Sequence, residues 1–179
     1  MTPDLLQDAT GCNVINARIF ADPLTAAMAT YNIDTPKRQA AFLAQIAHET
    51  CRFVFLHELW GPTPRQLTYE GRADLGNNVP GDGYRYRGRG LIQITGRANY
   101  AAVTMALDHD FLSNPDDLAQ PDWAAMSAAW FWAAHGLNPL ADQGLFEAIT
   151  RGINGGLTGL ADRKALWSLS KAALGVNDA

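Results

Sequence analysis

Between Gly61 and Gly90 the chain loses regular spacing, interrupted by Pro62, Pro64 and Pro80 and by repeated glycines. Proline removes a backbone donor and fixes φ, and glycine gives up the conformational restriction that helices and strands rely on. Irregular stretches of this length are uncommon in compact domains and usually carry function. The fold must therefore be carried by the segments on either side, and these read as helices.

The spacing predicts a helix over 35–48, opened by Thr35 as N-cap and Pro36 at the first helical position, with Phe42, Leu43, Ile46 and Ala47 on one stripe. A second runs from Asp122 through Trp123, Met126, Ala129, Trp130 and Ala133 to a stop at Gly136, and its aromatic stripe makes it the expected central core helix. Further helices are expected over 98–108, 143–151 and 159–174, the last with Leu160, Leu166, Leu169 and Ala173 on one side. Alternation in Tyr84-Arg85-Tyr86-Arg87 and in Leu91-Ile92-Gln93-Ile94-Thr95 predicts one short hairpin. The architecture is thus mainly α, with a loop-rich cleft.

Composition narrows the function. The chain has 179 residues, 47% hydrophobic and 18% charged, with 14 Lys+Arg against 18 Asp+Glu for a net charge of −4. That suits one globular domain spanning 1–179. A mildly acidic chain with scattered cations is unsuited to neutralising a nucleic acid backbone, so no nucleic acid partner is expected. Cys12 and Cys51 lack metal-ligand spacing and read as two buried thiols, with one bridge between them left open. Met1-Thr2-Pro3-Asp4 has no export signature, and no stretch approaches 18 uninterrupted apolar residues, so no membrane anchor is expected.

Four features could carry chemistry. Glu49, in Ala47-His48-Glu49-Thr50, closes the first helix and faces the negative end of its dipole, which disfavours the ionised form and suits a general acid. For an arbitrary glutamate a solvated helix end is the commoner explanation. Zinc through HExxH is excluded because Arg52 stands where the second histidine belongs. Glu58 follows nine residues later. On one unbroken helix that spacing spans about 13.5 Å, beyond the roughly 6.5–9.5 Å that inverting glycosidases keep between their carboxyl groups, so the chain must bend between the two acids. Glu70 competes as second acid or pairs with a nearby arginine, and Glu147 reads as a solvated helix-face charge.

The third feature is the run from Tyr86 to Tyr100, where Gln93, Thr95 and Asn99 sit among apolar residues and glycines. Uncharged donors and acceptors beside aromatic rings suit neutral sugar hydroxyls and N-acetyl groups. Buried amides that merely satisfy backbone groups would look the same. GxGxxG is not matched there. The fourth is Ile153-Asn154-Gly155-Gly156, first of all a turn signal, followed by Arg163.

Phe42–Thr50, Tyr69–Asn77, Tyr86–Tyr100 and Ile153–Gly156 together resemble, in order, glycoside hydrolase family 19, the chitinase-like lysozymes, and within it the short bacteriophage endolysins and their prophage relatives. The resemblance runs from about residue 35 to 170 and implies a lysozyme-like helical fold with two lobes flanking a groove. It implies Glu49 as general acid and Glu58 as the base that activates water, with Glu70 the alternative second acid. Gln93, Thr95, Asn99, Asn154, Arg163 and Tyr86 would be substrate-binding residues. The implied substrate is peptidoglycan, cut between N-acetylmuramic acid and N-acetylglucosamine without metal or cofactor. Chitin hydrolysis, lytic transglycosylation and non-hydrolytic wall binding are the alternatives. The resemblance further implies a monomer held in the host cytoplasm until a holin releases it to the wall. The segment 174–179 carries no basic amphipathic tail that would carry it across an outer membrane from outside.

Overall fold

The computed structural model describes residues 1–177, so Asp178 and Ala179, the end of the C-terminal segment considered above, lie outside the described residues. In chain order the helices are α1 (Pro3–Thr10), α2 (Val14–Thr30), α3 (Pro36–Glu49), α4 (Pro64–Leu67), α5 (Asp82–Arg85), α6 (Arg97–Leu107), α7 (Pro121–Ala134), α8 (Leu137–Asp142), α9 (Phe146–Asn154) and α10 (Leu160–Ala173). Short 3₁₀ turns lie at Ala73–Leu75 and Pro115–Ala119.

Local chemistry explains the starts. Thr2, Thr35 and Thr63 each accept a hydrogen bond from a first-turn amide, with Pro next in sequence, opening α1, α3 and α4 in the same way. α3 is buried continuously from Ala40 to Ala47, so it is enclosed on all sides, and it packs most extensively on α10. α7 packs on α2 through small residues, with Ala124, Ala125, Ala128 and Trp132 fully buried. The core is therefore built on α3 as well as α7. The stripe expected on α7 is rotated, because alanines allow the close approach to α2 while Trp123 and Trp130 remain half-buried.

Two hydrophobic clusters result. The larger is drawn mainly from α1–α3 and α7–α10. The smaller gathers Tyr86, Ile94, Tyr100, Val103, Phe111 and Leu118, and α7 links the two because Trp123 and Trp130 pack against it. A mainly helical, two-lobed domain was the expectation, and the fold agrees.

Several local expectations need correction. No strand forms among the described residues, which show only isolated bridges, His57 with Arg89 and Arg89 with Ile94. The expected hairpin fails because residues 82–85 close a helical turn, Gln93 adopts φ +55°, and the buried Arg89 side chain bonds Tyr100 Oη and Asp116. The helix expected over 143–151 begins at Phe146, since Gly144 at φ +71° turns the chain after α8. On α10 the buried face is Arg163, Leu166 and Ser170, while Leu169 is exposed. Cys12 is buried but Cys51 is exposed, and both are free thiols.

Candidate active site

Glu49 ends α3, and the chain then turns through three successive left-handed residues, Cys51, Arg52 and Phe53, at φ +49°, +60° and +66°. Non-glycine residues rarely adopt this region, at about 1–2 kcal/mol each, so surrounding bonds must hold them. Thr50 Oγ1 accepts from the Phe53 amide at 2.9 Å, and the Thr50 carbonyl accepts from both Val54 and Phe55. Asn16, on α2, donates its side-chain amide to the carbonyls of Arg52 and Phe53, both at 3.2 Å. The buried Phe53 ring stacks on Phe20 at 5.1 Å. This turn is the bend that the spacing of Glu49 and Glu58 requires.

Glu58 is held from the other side. Its amide donates to the Gly88 carbonyl at 2.8 Å, and its Oε2 accepts from the Gly88 amide at 3.2 Å. Its Oε1 accepts from Gln66 Nε2 at 3.1 Å and from the Tyr69 hydroxyl at 3.3 Å. Burial, and next the charge of Glu58, push the Tyr69 phenol above its ordinary range, so it stays a donor. A side chain at Gly88 would stand 2.8 Å from Gln93 Oε1 and 3.4 Å from the Glu58 Cβ, so it would displace the end of Gln93 in the groove. His57 is pushed below the usual imidazole range, by burial first and then by Arg87 and Arg89, which leaves it neutral at pH 7.

Glu49 Oε1 accepts from Arg163 Nη2 in a short ion pair. The Arg163 side chain is only 2% exposed and also donates to Gln45 Oε1 at 2.5 Å. Gln45 in turn donates to Thr150 Oγ1 at 2.9 Å, so the buried network α3–α10–α9 fixes one oxygen of Glu49. The sequence revealed the helix end at Glu49 but not the guanidinium that pairs with it. Beside it, His48 Nδ1 lies 2.6 Å from Asp162 Oδ2. Two consecutive residues of α3 thus pair with two consecutive residues of α10.

Glu49 and Glu58 line one polar groove of about 400 Å³ between the lobes, together with Arg65, Gln93, Thr95 and Asn154. Gln93 donates to the Gly90 carbonyl at 3.0 Å and Thr95 Oγ1 to the Gln93 carbonyl at 2.9 Å, so both are positioned by backbone. Asn154 is the last residue of α9, where Gly155 at φ +71° ends the helix. Arg163 stands behind the groove, on Glu49.

Three candidates are placed elsewhere. Tyr86 is 2% exposed, donates to the Leu112 carbonyl at 3.2 Å and packs on Tyr100 at 5.1 Å; it is a core residue of the small lobe, not a groove contact. Asn99 is exposed on the first turn of α6 and donates to the Thr95 carbonyl at 2.7 Å, supporting the groove from outside its lining. Glu70 accepts from the amides of Gly81 and Gly83 at 2.6 and 2.9 Å, so it fastens a loop, and no arginine pairs with it among the described residues. Glu147 is a solvated helix-face charge paired with Lys164. Gln66, Tyr69, Arg65 and Gln45 were missed. The Thr63–Gln66 capping box was the readable signal for α4.

Two carboxylates presented to one polar groove, between the lobes of a helical, lysozyme-like domain, define a glycoside hydrolase. The class I chitinase profile of glycoside hydrolase family 19 matches residues 7–145. The chain belongs to that family. A family 19 domain-containing protein of Haemophilus influenzae is 36% identical over 158 residues, 73% of this chain and 76% of its own length. An endochitinase of Arabidopsis thaliana is 38% identical over 128 residues, 70% of this chain but 42% of its own. The chain thus spans less than half of that plant relative. The crystal structure of chitinase C from Streptomyces griseus superposes with TM-score 0.78 at 23% identity, over 98% of this chain and 76% of that one, which supports the fold.

Proposed function

We propose that this chain is a muramidase of the endolysin type, hydrolysing the β-1,4 bond between N-acetylmuramic acid and N-acetylglucosamine in peptidoglycan. The observation that carries the chemistry is the meeting of Glu49 and Glu58 in one groove, from opposite lobes. Arg163 binds Oε1 of Glu49, leaving Oε2 with no protein partner among the described residues and open to a glycosidic oxygen. Glu49 protonates that oxygen as the bond breaks. Glu58, faced by three donors, orients and deprotonates a water on the other face of the sugar, giving inversion. Gln93, Thr95 and Asn154 line the groove as candidates for hydroxyl and N-acetyl contacts.

Peptidoglycan is preferred as substrate because Phe42–Thr50, Tyr69–Asn77, Tyr86–Tyr100 and Ile153–Gly156 resemble the motifs of the family's short endolysins. In this reading the enzyme accumulates in the host cytoplasm and reaches the wall through a holin. A second reading, hydrolysis of chitin, is favoured by the names of the plant and Streptomyces relatives. Digestion of purified sacculi and of chitin oligomers, with mass spectrometry of the new ends, separates them. Reducing-end muramic acid is expected. Anhydromuramyl ends would instead establish transglycosylation, and cleavage of chitin alone would establish the second reading.

A further inference from the structure

Most cations around the groove are answered by a partner. Arg163 pairs with Glu49, Arg89 with Asp116, Arg72 with Asp74, and Arg87 stacks over Tyr84 at 4.2 Å. Arg65 differs: it lines the groove with Glu49 and Glu58, it is exposed, and no carboxylate pairs with it among the described residues. Its backbone is nonetheless fixed. Thr63 and Gln66 close a capping box around it, and Gln66 also holds Glu58, so α4 positions the base and presents a cation beside it. A neutral glycan offers such a cation nothing to pair with, whereas a muramyl strand carries a carboxylate on its lactyl arm or on the peptide attached there.

We propose that Arg65 is a specificity-determining residue, which selects strands whose side arm carries a carboxylate by pairing with it in the groove. This rests on the muramidase reading and deepens it. Arginine suits the role because its planar fork binds a carboxylate through two parallel hydrogen bonds. In a groove open to solvent the pairing is salt-sensitive.

The test compares kcat/KM on three substrates: intact sacculi, glycan strands stripped of peptide by an amidase so that lactyl carboxylates are free, and the same strands after carbodiimide amidation. The wild type is expected to prefer free carboxylate over amidated strands by about tenfold, through KM, with the preference shrinking in high salt. Arg65→Ala should bring the ratio near one, with Arg65→Lys between, and circular dichroism should show both variants folded. A preference on stripped strands assigns the lactyl carboxylate; one seen only on sacculi assigns the peptide. A wild type that prefers neither stripped strands nor intact sacculi over amidated strands, or an Arg65→Ala variant that keeps the preference, overturns the proposal while leaving the muramidase intact. Chitin cleavage with no cleavage of any muramyl strand overturns both.

Discussion

The imidazole of His48 occupies the space where a side chain on Gly159 would stand: a Cβ there would lie 2.4 Å from both Cε1 and Nε2. Gly159 also has φ +73°. Gly159→Ala should therefore displace the ring from Asp162 and strain the backbone, lowering stability by about 1–2 kcal/mol, or roughly 2–8 °C in melting midpoint. In a His48→Ala background only the backbone part should remain. Thermal unfolding of the double-mutant cycle checks this, and a penalty undiminished by His48→Ala would contradict the contact.

Glu49→Gln keeps the size of the side chain and a group for Arg163 to meet, so folding should persist. Removing the proton donor should cut turnover by about 10²–10⁴-fold. Turnover within tenfold of the parent would refute the acid assignment.

Glu58 and Glu70 separate by their partners. Glu58→Gln should reduce turnover by about 10²–10⁴-fold, because the base is lost from the groove. Glu70→Gln should leave turnover near normal and cost about 1 kcal/mol, because its partners are two loop amides outside the groove. Parallel assays on sacculi decide, and the reverse ranking would exchange the roles.

Asn16 lies on another helix, far in sequence from the left-handed turn that its amide secures. Asn16→Ala frees the carbonyls of Arg52 and Phe53 and should cost about 1–2 kcal/mol, with greater loss of activity than stability alone explains. Urea unfolding together with a lytic assay reads both.

Acid should loosen the small lobe first. The side-chain hydrogen bond from Arg97, at 2.5 Å, is the main cause holding the buried Asp82 carboxyl below the usual carboxylate range. A depressed native value means that the stabilisation is present above the unfolded value of about 3.9 and is lost as pH falls through the native one. Stability should drop below about pH 4. Asp82→Asn should lower stability at pH 7 and flatten that acid limb in unfolding curves measured from pH 2 to 7.

Sequence patterning revealed five of the ten helices among the described residues and the need for a bend, but it could not reveal what makes the bend. The Thr35-Pro36 signature was read at α3, while the same pair at Thr2-Pro3 and Thr63-Pro64 passed unused, leaving α1 and α4 unpredicted. α2 was obscured because Pro23 lies inside it. Arg163 on a buried helix face breaks amphipathic patterning, since its partners, Gln45 and Glu49, are over a hundred residues away. Tyr86 misled because aromatic rings serve sugar stacking and core packing equally well. Arg65 was passed over because nothing local marks a cation as unanswered; that becomes visible only beside the partners of Arg163, Arg89, Arg72 and Arg87.

The left-handed residues 51–53 give the enzyme a fixed gauge. They lie on the shortest covalent route from Glu49 to Glu58, the proposed proton donor and water activator, so this elbow of chain limits how far the two carboxylates can part. Lengthening that elbow by even a residue or two would change the room available for the attacking water, and with it the stereochemical course of hydrolysis.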